Sequence, residues 1–281
     1  MSAAYLVLTA AAGVPEEAVT ALRSSRPDLA LGAPRRLAPT AVEIPVDAAD
    51  AVPSLAGLDV NLVPAAARRA GLFIADMDST IIPVECIDEL ADFAGARDEV
   101  AAITERAMRG ELDFEAALRA RVARLADLPV ATLEACYRER IGLTAGAETL
   151  LATLKARGVR TALVSGGFTF FVDRVAARLG FDEARANVLA VADDRLSGDV
   201  VEPILGQDAK LAALQELRGE GAAIAIGDGA NDLGMIRAAD LGIAWRAKPV
   251  VAGEADARLQ HSDLTAVLAL LGLAEADWQR A

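Results

Sequence analysis

Histidine and cysteine are almost missing from this chain of 281 residues: one histidine, His261, and two cysteines, Cys86 and Cys136. A lone imidazole near the C-terminus argues against a His-based nucleophilic triad or a multi-histidine zinc centre. It reads as a surface or helix-end residue. Neither cysteine has a C-x-x-C partner and two are too few for a disulfide scaffold, which argues against a cysteine-based zinc or redox site; a reduced, cytoplasmic setting fits. Any catalysis therefore falls to carboxylates, hydroxyls, lysine or arginine. Aromatic residues are also scarce, at 4% against 54% apolar residues, so the core is expected to be aliphatic. Positive charge is short: 28 Lys and Arg face 41 Asp and Glu, a formal net charge of −13. With no basic stripe, that balance speaks against nucleic acid or an anionic membrane surface as partner. No apolar run reaches bilayer-spanning length, because charges recur throughout. The apolar N-terminus, 1–13, superficially resembles an export signal, but no cation precedes Arg23, so 5–9 reads as a strand.

What is present is organised around Gly71-Leu72-Phe73-Ile74-Ala75-Asp76-Met77-Asp78-Ser79-Thr80. A short uncharged apolar run suits a strand covered on both faces of a parallel sheet. It ends abruptly in two carboxylates, and the carboxyl ends of such strands are where open α/β sheets bind ligands. Read alone, Asp76 and Asp78 serve equally well as polar loop residues capping the next helix.

Before that strand, 1–66 reads as a small α+β unit with a β-α-β-α-β run: strands at 5–9, 40–46 and 58–63, and helices from Pro15 to about Ser25 and over 47–55. Alone it is too small to bury much, so it is expected to pack on the rest of the chain or on a second copy in a homodimer. Residues 64–70 read as a linker. After the strand, 84–142 is helical in pattern throughout, the expectation for a lid inserted into an α/β core. The α/β rhythm resumes from about 143 to 275. A helix at 148–157 precedes a strand at 160–164 ending in Ser165-Gly166-Gly167; a helix at 168–179 and a hairpin of 188–192 with 196–201 follow. A helix at 208–218 carries Lys210, and a strand at 222–226 ends in Gly227-Asp228-Gly229-Ala230-Asn231-Asp232. A helix at 233–239, a short strand at 241–244 and a helix at 263–271 complete the chain. The fold class is thus α/β: a three-layer, Rossmann-like parallel sheet with a helical insert after its first strand.

Parallel strands bring their ends to one sheet edge. That edge should collect Asp76, Asp78, Ser165, Asp228, Asn231 and Asp232, with Lys210 nearby. Four carboxylates in one crevice repel unless a cation sits among them, and oxygen ligands without His or Cys point to Mg2+. Lys210, the Ser165 hydroxyl and the N–H groups of 165–167 suit a phosphate. Together these parts mean phosphoryl transfer.

Those strings, in order, resemble the four motifs of the haloacid dehalogenase (HAD) superfamily of phosphatases, and most closely its phosphoserine phosphatase branch. Further matches lie in Glu85 and in Phe114-Glu115-Ala116-Ala117-Leu118-Arg119-Ala120-Arg121; the resemblance covers about 70–272. It implies hydrolysis of O-phospho-L-serine to L-serine, the last step of serine biosynthesis, in the cytoplasm. By resemblance, Asp76 is the nucleophile that takes up the phosphoryl group, and Asp78 the acid that protonates the departing serine oxygen and then the base for water. Mg2+ would be held by Asp76, the Asp78 backbone carbonyl, Asp228 and, in support, Asp232. Ser165, the Gly166 N–H and Lys210 would hold the phosphate, with Asn231 ordering the Lys210 side. Glu85 would take the substrate ammonium and Arg121 its carboxylate, while Met108 and Phe114 help exclude water. The N-terminal unit resembles a shortened ACT-like, amino-acid-binding unit. An acceptor alcohol such as homoserine could intercept the same intermediate, which leaves a phosphotransferase open.

Overall fold

The computed structural model describes residues 4–47, 52–107 and 111–280, with Met108 described by its backbone alone. The N-terminal part consists of β1 (Ala4–Thr9), α1 (Glu17–Ser25), β2 (Arg35–Ala38), β3 (Ala41–Val46) and β4 (Asp59–Pro64). The strands form an antiparallel sheet in the order β2-β3-β1-β4. Strict alternation along β1 explains its two faces. Leu6 and Leu8 join α1 residues Ala18 and Leu22 in one apolar cluster, while Val7 packs toward the body of the molecule.

β5 (Ala70–Ala75) leads into α2 (Cys86–Phe93), α3 (Arg97–Met108), α4 (Phe114–Val122) and α5 (Val130–Arg140). Then come α6 (Ala147–Ala156), β6 (Arg160–Phe168), α7 (Thr169–Leu179), β7 (Glu183–Ala192), β8 (Arg195–Val201), α8 (Gln207–Leu217) and β9 (Ala222–Gly227). The chain closes with α9 (Leu233–Ala238), β10 (Leu241–Trp245), α10 (Pro249–Glu254), β11 (Ala257–Leu259) and α11 (Ala266–Leu270). Seven of these strands make one sheet, in the order β11-β10-β9-β5-β6-β7-β8, parallel except for the β7–β8 hairpin. β5 lies at its centre, and the periodicity of two sorts its side chains onto opposite layers. Phe73 and Ala75 join the cluster containing Leu150, Leu154, Phe171 and Val172, whereas Leu72 and Ile74 join Ala213, Leu214, Leu217 and Met235. Helices on both faces are why the run carries no polar residue until its end. Leu72, Phe73 and Ile74, fully buried, each contribute about 1.5–3 kcal/mol.

Several sequence expectations need correction. The residues before Ala41 pair as a further strand, β2, closed by a turn at Pro39 and Thr40, so the described N-terminal order is β-α-β-β-β. Exposed Arg35 and Arg36 hid that edge strand. The helix expected over 47–55 falls in part on 48–51, outside the described residues; 52–55 is not helical, and Leu55 bridges Leu58. β6 does not stop at Val164 but runs through the glycines to Phe168, with an irregular register against β7. β7 begins five residues before its expected start, α11 is shorter than expected, and α10 and β11 carried no sequence signal.

The expected linker is instead a fastening. Arg68 lies 3.4 Å over the Tyr5 ring and pairs with buried Glu43 at 2.6 Å, and Arg35 Nε donates to the same carboxylate. Further along β4, Asn61 exchanges two hydrogen bonds with the Arg258 backbone in β11, at 3.0 and 2.7 Å. The buried Asp59 carboxylate accepts from Gln260 N (2.8 Å), His261 N (3.0 Å) and Ser262 Oγ (2.6 Å). Among the described residues no helix is long and apolar enough to cross a membrane.

Candidate active site

The carboxyl ends of β5, β6 and β9 and the inner faces of α2 and α4 enclose a cavity of about 420 Å³. Asp76, Asp78, Glu85, Phe114, Arg121, Ser165, Gly166, Asp228 and Asn231 all line it. Lys210 and Asp232 stand directly behind, buried at 1% and 0% exposure. The Met108 side chain, also expected at the site, lies outside the described residues.

Asp76 ends β5, and its backbone N–H donates to Ile226 O of β9 at 3.0 Å, so the sheet itself fixes it. The Lys210 ammonium sits 2.6 Å from both Asp76 Oδ1 and Asp232 Oδ1. Asp232 also accepts from Gly229 N at 3.1 Å, which ties the β9 loop to the same group. Gly227 is required there, because a Cβ would lie 2.4 Å from the Asp232 carboxylate carbon. Burial opposes the charge on Lys210, but Asp232 and Asp76 outweigh it and hold its pKa above the usual lysine value. Burial, and then repulsion from Asp232, push Asp76 well above the usual carboxylate range despite Lys210. Burial and Asp232 push Asp228 up to about 6.

One carboxylate oxygen each of Asp76, Asp228 and Asp232 lies within 4.8 Å of the others. Three carboxylates face one ammonium, a surplus of acidic groups whose ionisation the raised pKa values of Asp76 and Asp228 oppose unless a cation joins them. An all-oxygen donor set with that surplus fits a hard divalent cation. The Asp78 carboxylate is not part of this set. Its Oδ1 accepts from Cys86 N at 2.9 Å and its Oδ2 from Ser165 Oγ at 3.0 Å. Cys86 is the first residue of α2, so Asp78 caps that helix while lining the cavity; Asp76 makes no such cap and pairs with Lys210 instead. Gly167 N donates to Ser165 Oγ at 2.9 Å, so of the three N–H groups expected to cradle a phosphate this one is turned to the loop instead. A side chain at Gly167 would put its Cβ 2.5 Å from Asp78 Oδ2.

Ser79 is the hinge of the turn after β5. It takes φ +55°, in the left-handed region where a serine is uncommon, and its N–H closes on Val84 O at 3.2 Å. Its hydroxyl then donates to Glu85 Oε1 at 2.6 Å. Burial, with Asp78 nearby, pushes the Glu85 pKa up to about 7. Arg121, from α4, faces the same space. Burial lowers its pKa from the usual arginine value, against the pull of Asp88 and Glu85. Its Nε donates to Ala117 O of its own helix at 3.3 Å. Phe114 opens α4 behind the Asp113 cap and packs down on the core: a Cβ at Gly166 would lie 3.1 Å from its ring, and one at Gly206 3.4 Å.

Sequence reasoning missed several residues here. Ser79 stood in the motif without an assigned task. Asp88 follows Glu85 at helical spacing, the one signal that could have found it. Asn187 holds Gly166 O at 2.8 Å, Leu205 O at 3.1 Å and Leu205 N at 2.7 Å, a purely tertiary arrangement. Lys248, in the loop between β10 and α10, also lines the cavity and belongs to none of the expected motifs.

Known proteins match this arrangement. The family model of haloacid dehalogenase-like hydrolases matches residues 73–237. The chain is 46% identical over 208 residues to a phosphoserine phosphatase of Haemophilus influenzae, taking in 72% of this chain but 66% of that protein, less than two thirds of its length. It is also 46% identical over 206 residues to a phosphoserine phosphatase of Streptococcus thermophilus, covering 72% of this chain and 95% of that one. A solved structure of a HAD family hydrolase from Salmonella enterica serovar Typhi superposes with a TM-score of 0.83 at 30% identity, over 95% of this chain and 98% of that one. The model's match starts in the strand that carries Asp76 and ends in the helix after Asp232, and by it and by these relatives the chain belongs to the haloacid dehalogenase-like hydrolases.

Proposed function

We propose that this chain is a Mg2+-dependent phosphoserine phosphatase that converts O-phospho-L-serine and water to L-serine and inorganic phosphate in the cytoplasm. One observation carries the reading: a single cavity has Asp76, backed by Lys210 and Asp232, with Ser165 on its core wall and Glu85 with Arg121 on its helical wall. The first wall suits a phosphoryl group and the second an α-amino acid head group. Relatives described as phosphoserine phosphatases support it.

In this mechanism an Asp76 oxygen attacks phosphorus, the bond from phosphorus to the serine oxygen breaks, and Asp78 delivers a proton to that oxygen. Water then attacks the aspartyl-phosphate, gives its proton to Asp78, and the bond from phosphorus to Asp76 breaks. Asp76, Asp228 and Asp232, with the Asp78 carbonyl, would hold Mg2+, which when bound neutralises charge on the phosphoryl oxygens. Lys210 and the Ser165 hydroxyl contact those oxygens and stabilise the charge as it shifts. Asp232 keeps Lys210 charged and in place, and Asn231 lines the same wall. Helices α2–α5 act as the lid, where Phe114 keeps water off the phosphoryl side. The matched region covers less than two thirds of the first relative, and the N-terminal sheet is proposed as an ACT-like accessory to the larger part.

The deciding assay compares phosphoserine, phosphothreonine and p-nitrophenyl phosphate with Mg2+ and after chelation. Phosphoserine should lead in kcat/KM by at least about tenfold, and chelation should abolish turnover. Equal turnover of the aryl phosphate, or indifference to chelation, rejects the reading.

Glu85 adds a pH signature. With its pKa raised to about 7 in the protein, it is protonated and neutral below that pH, ionised above it. Only the ionised form pairs with an ammonium, so kcat/KM for phosphoserine should climb with pH through about 7 and level about one unit above it. Glu85→Gln should lose that rise, and p-nitrophenyl phosphate, lacking an ammonium, should show none of the part due to Glu85. An unchanged profile in Glu85→Gln would remove Glu85 from this role.

A further inference from the structure

The cavity has a cation whose place the family resemblance does not account for. Among its described lining residues, five are carboxylates (Asp76, Asp78, Glu85, Asp88 and Asp228), and the cations are Arg121 and Lys248. A phosphate ester is itself a dianion and must enter this acidic space from outside a chain of net charge −13. Arg121 lies on the helical wall, where the proposed head group binds. Lys210 is buried behind Asp76 at 1% exposure and can meet a phosphate only at the end of its path. Lys248 is exposed and reaches the cavity from the core side, beside the loop of Asp228, Gly229, Ala230 and Asn231.

The segment that presents Lys248 is fixed on both sides. Downstream, the Lys248 carbonyl accepts from Val251 N and Ala252 N at 3.0 Å each, and Val251 is buried against Leu233, Ile236 and Ala244. Upstream, Arg246 N donates to Leu259 O at 2.8 Å, and Gln260 Nε2 donates to Ala247 O at 3.3 Å. Residues 260–262 are in turn held by Asp59 of the N-terminal sheet. The braced backbone fixes where the Lys248 stem begins, at the rim of the cavity, and the flexible stem lets its ammonium follow an incoming anion.

We propose that Lys248 is a further substrate-binding residue, which draws the phosphoryl group of a phosphomonoester into the cavity and holds it against the surrounding carboxylates. This rests on the phosphomonoester reading of the site but not on serine as the alcohol. An exposed cation acting on a dianion is worth roughly a fivefold change in affinity and steepens the salt dependence of capture.

The test measures inorganic phosphate binding by calorimetry with Mg2+ present, a readout that needs no turnover, together with kinetics on phosphoserine and p-nitrophenyl phosphate. Lys248→Ala should weaken phosphate binding about fivefold and raise KM for both substrates by a similar factor. It should change kcat less than about twofold and flatten the ionic-strength dependence of kcat/KM. Lys248→Arg should recover most of the loss, and Lys248→Glu should exceed it. Unchanged phosphate affinity in Lys248→Ala overturns the proposal, as does a KM effect confined to phosphoserine, which would put Lys248 at the amino-acid end. If phosphoserine is not a substrate but phosphate binding still falls in Lys248→Ala, the inference stands and the serine reading fails.

Discussion

Asp76→Asn is expected to remove turnover almost completely, lowering kcat by at least about 10⁴-fold while leaving the fold intact. The carboxamide matches the carboxylate in shape but is a poor nucleophile, and the neighbouring Asp78 carboxylate is already held by Cys86 N and Ser165 Oγ. Asp228 and Asp232 lie close, but Asp232 is committed to Lys210 and Gly229 N. The substitution should not destabilise the protein. Burial and Asp232 already hold the Asp76 pKa well above the ordinary range, so the charged form is the costly one in the folded state, and Lys210 keeps Asp232 as counter-ion. Single-turnover kinetics alongside thermal unfolding checks both halves. Residual turnover within about a hundredfold of the parent would mean that the phosphoryl group does not pass through Asp76.

Arg121→Ala should separate substrates rather than stop chemistry. Charge-assisted pairing of a guanidinium with a carboxylate in a largely desolvated setting contributes about 3 kcal/mol, which corresponds to roughly 100-fold. KM for phosphoserine should rise by about that factor. For p-nitrophenyl phosphate, which has no carboxylate to lose, kcat/KM should stay within about threefold. Arg121 lies on α4, apart from Asp76 and Lys210, so kcat should change little for either substrate. Parallel losses on both substrates would show that Arg121 supports the shape of the helical wall rather than reading the head group. Lysine in its place should rescue only in part, because it offers a point charge where the guanidinium offers a fork.

The readable part of this chain was the part written in local pattern. The charge-free run before Asp76, the Ser165-Gly166-Gly167 string, the helix of Lys210 and the Asp228–Asp232 loop each announce themselves within ten residues, and parallel topology alone brings them to one edge. What stayed hidden depends on distant partners. Arg68 falls in a stretch that reads as a linker until Tyr5 of β1 and Glu43 of β3 meet it. Asp78 as a helix cap needs the turn that Ser79 makes by entering a backbone region serine seldom occupies. Phe114 folds over Gly166 and Gly206 only once α4 has docked. Strand β2 hides behind two exposed arginines, and β11 is three residues long, too short for any periodicity. Lys248 carries no motif because its place is set by the loop around it.

Asp59 and Asn61 give the N-terminal sheet a thermodynamic standing that its small size conceals. They satisfy backbone N–H groups of Arg258, Gln260 and His261, beside the last strand of the large sheet. Were the small sheet to melt by itself, it would strip those partners from β11 and the loop that follows, and would strand the Glu43–Arg68 pair between the two parts. Local opening of the N-terminal part therefore leaves backbone donors unpaired at the edge of the large sheet and costs more than the small sheet's own contacts.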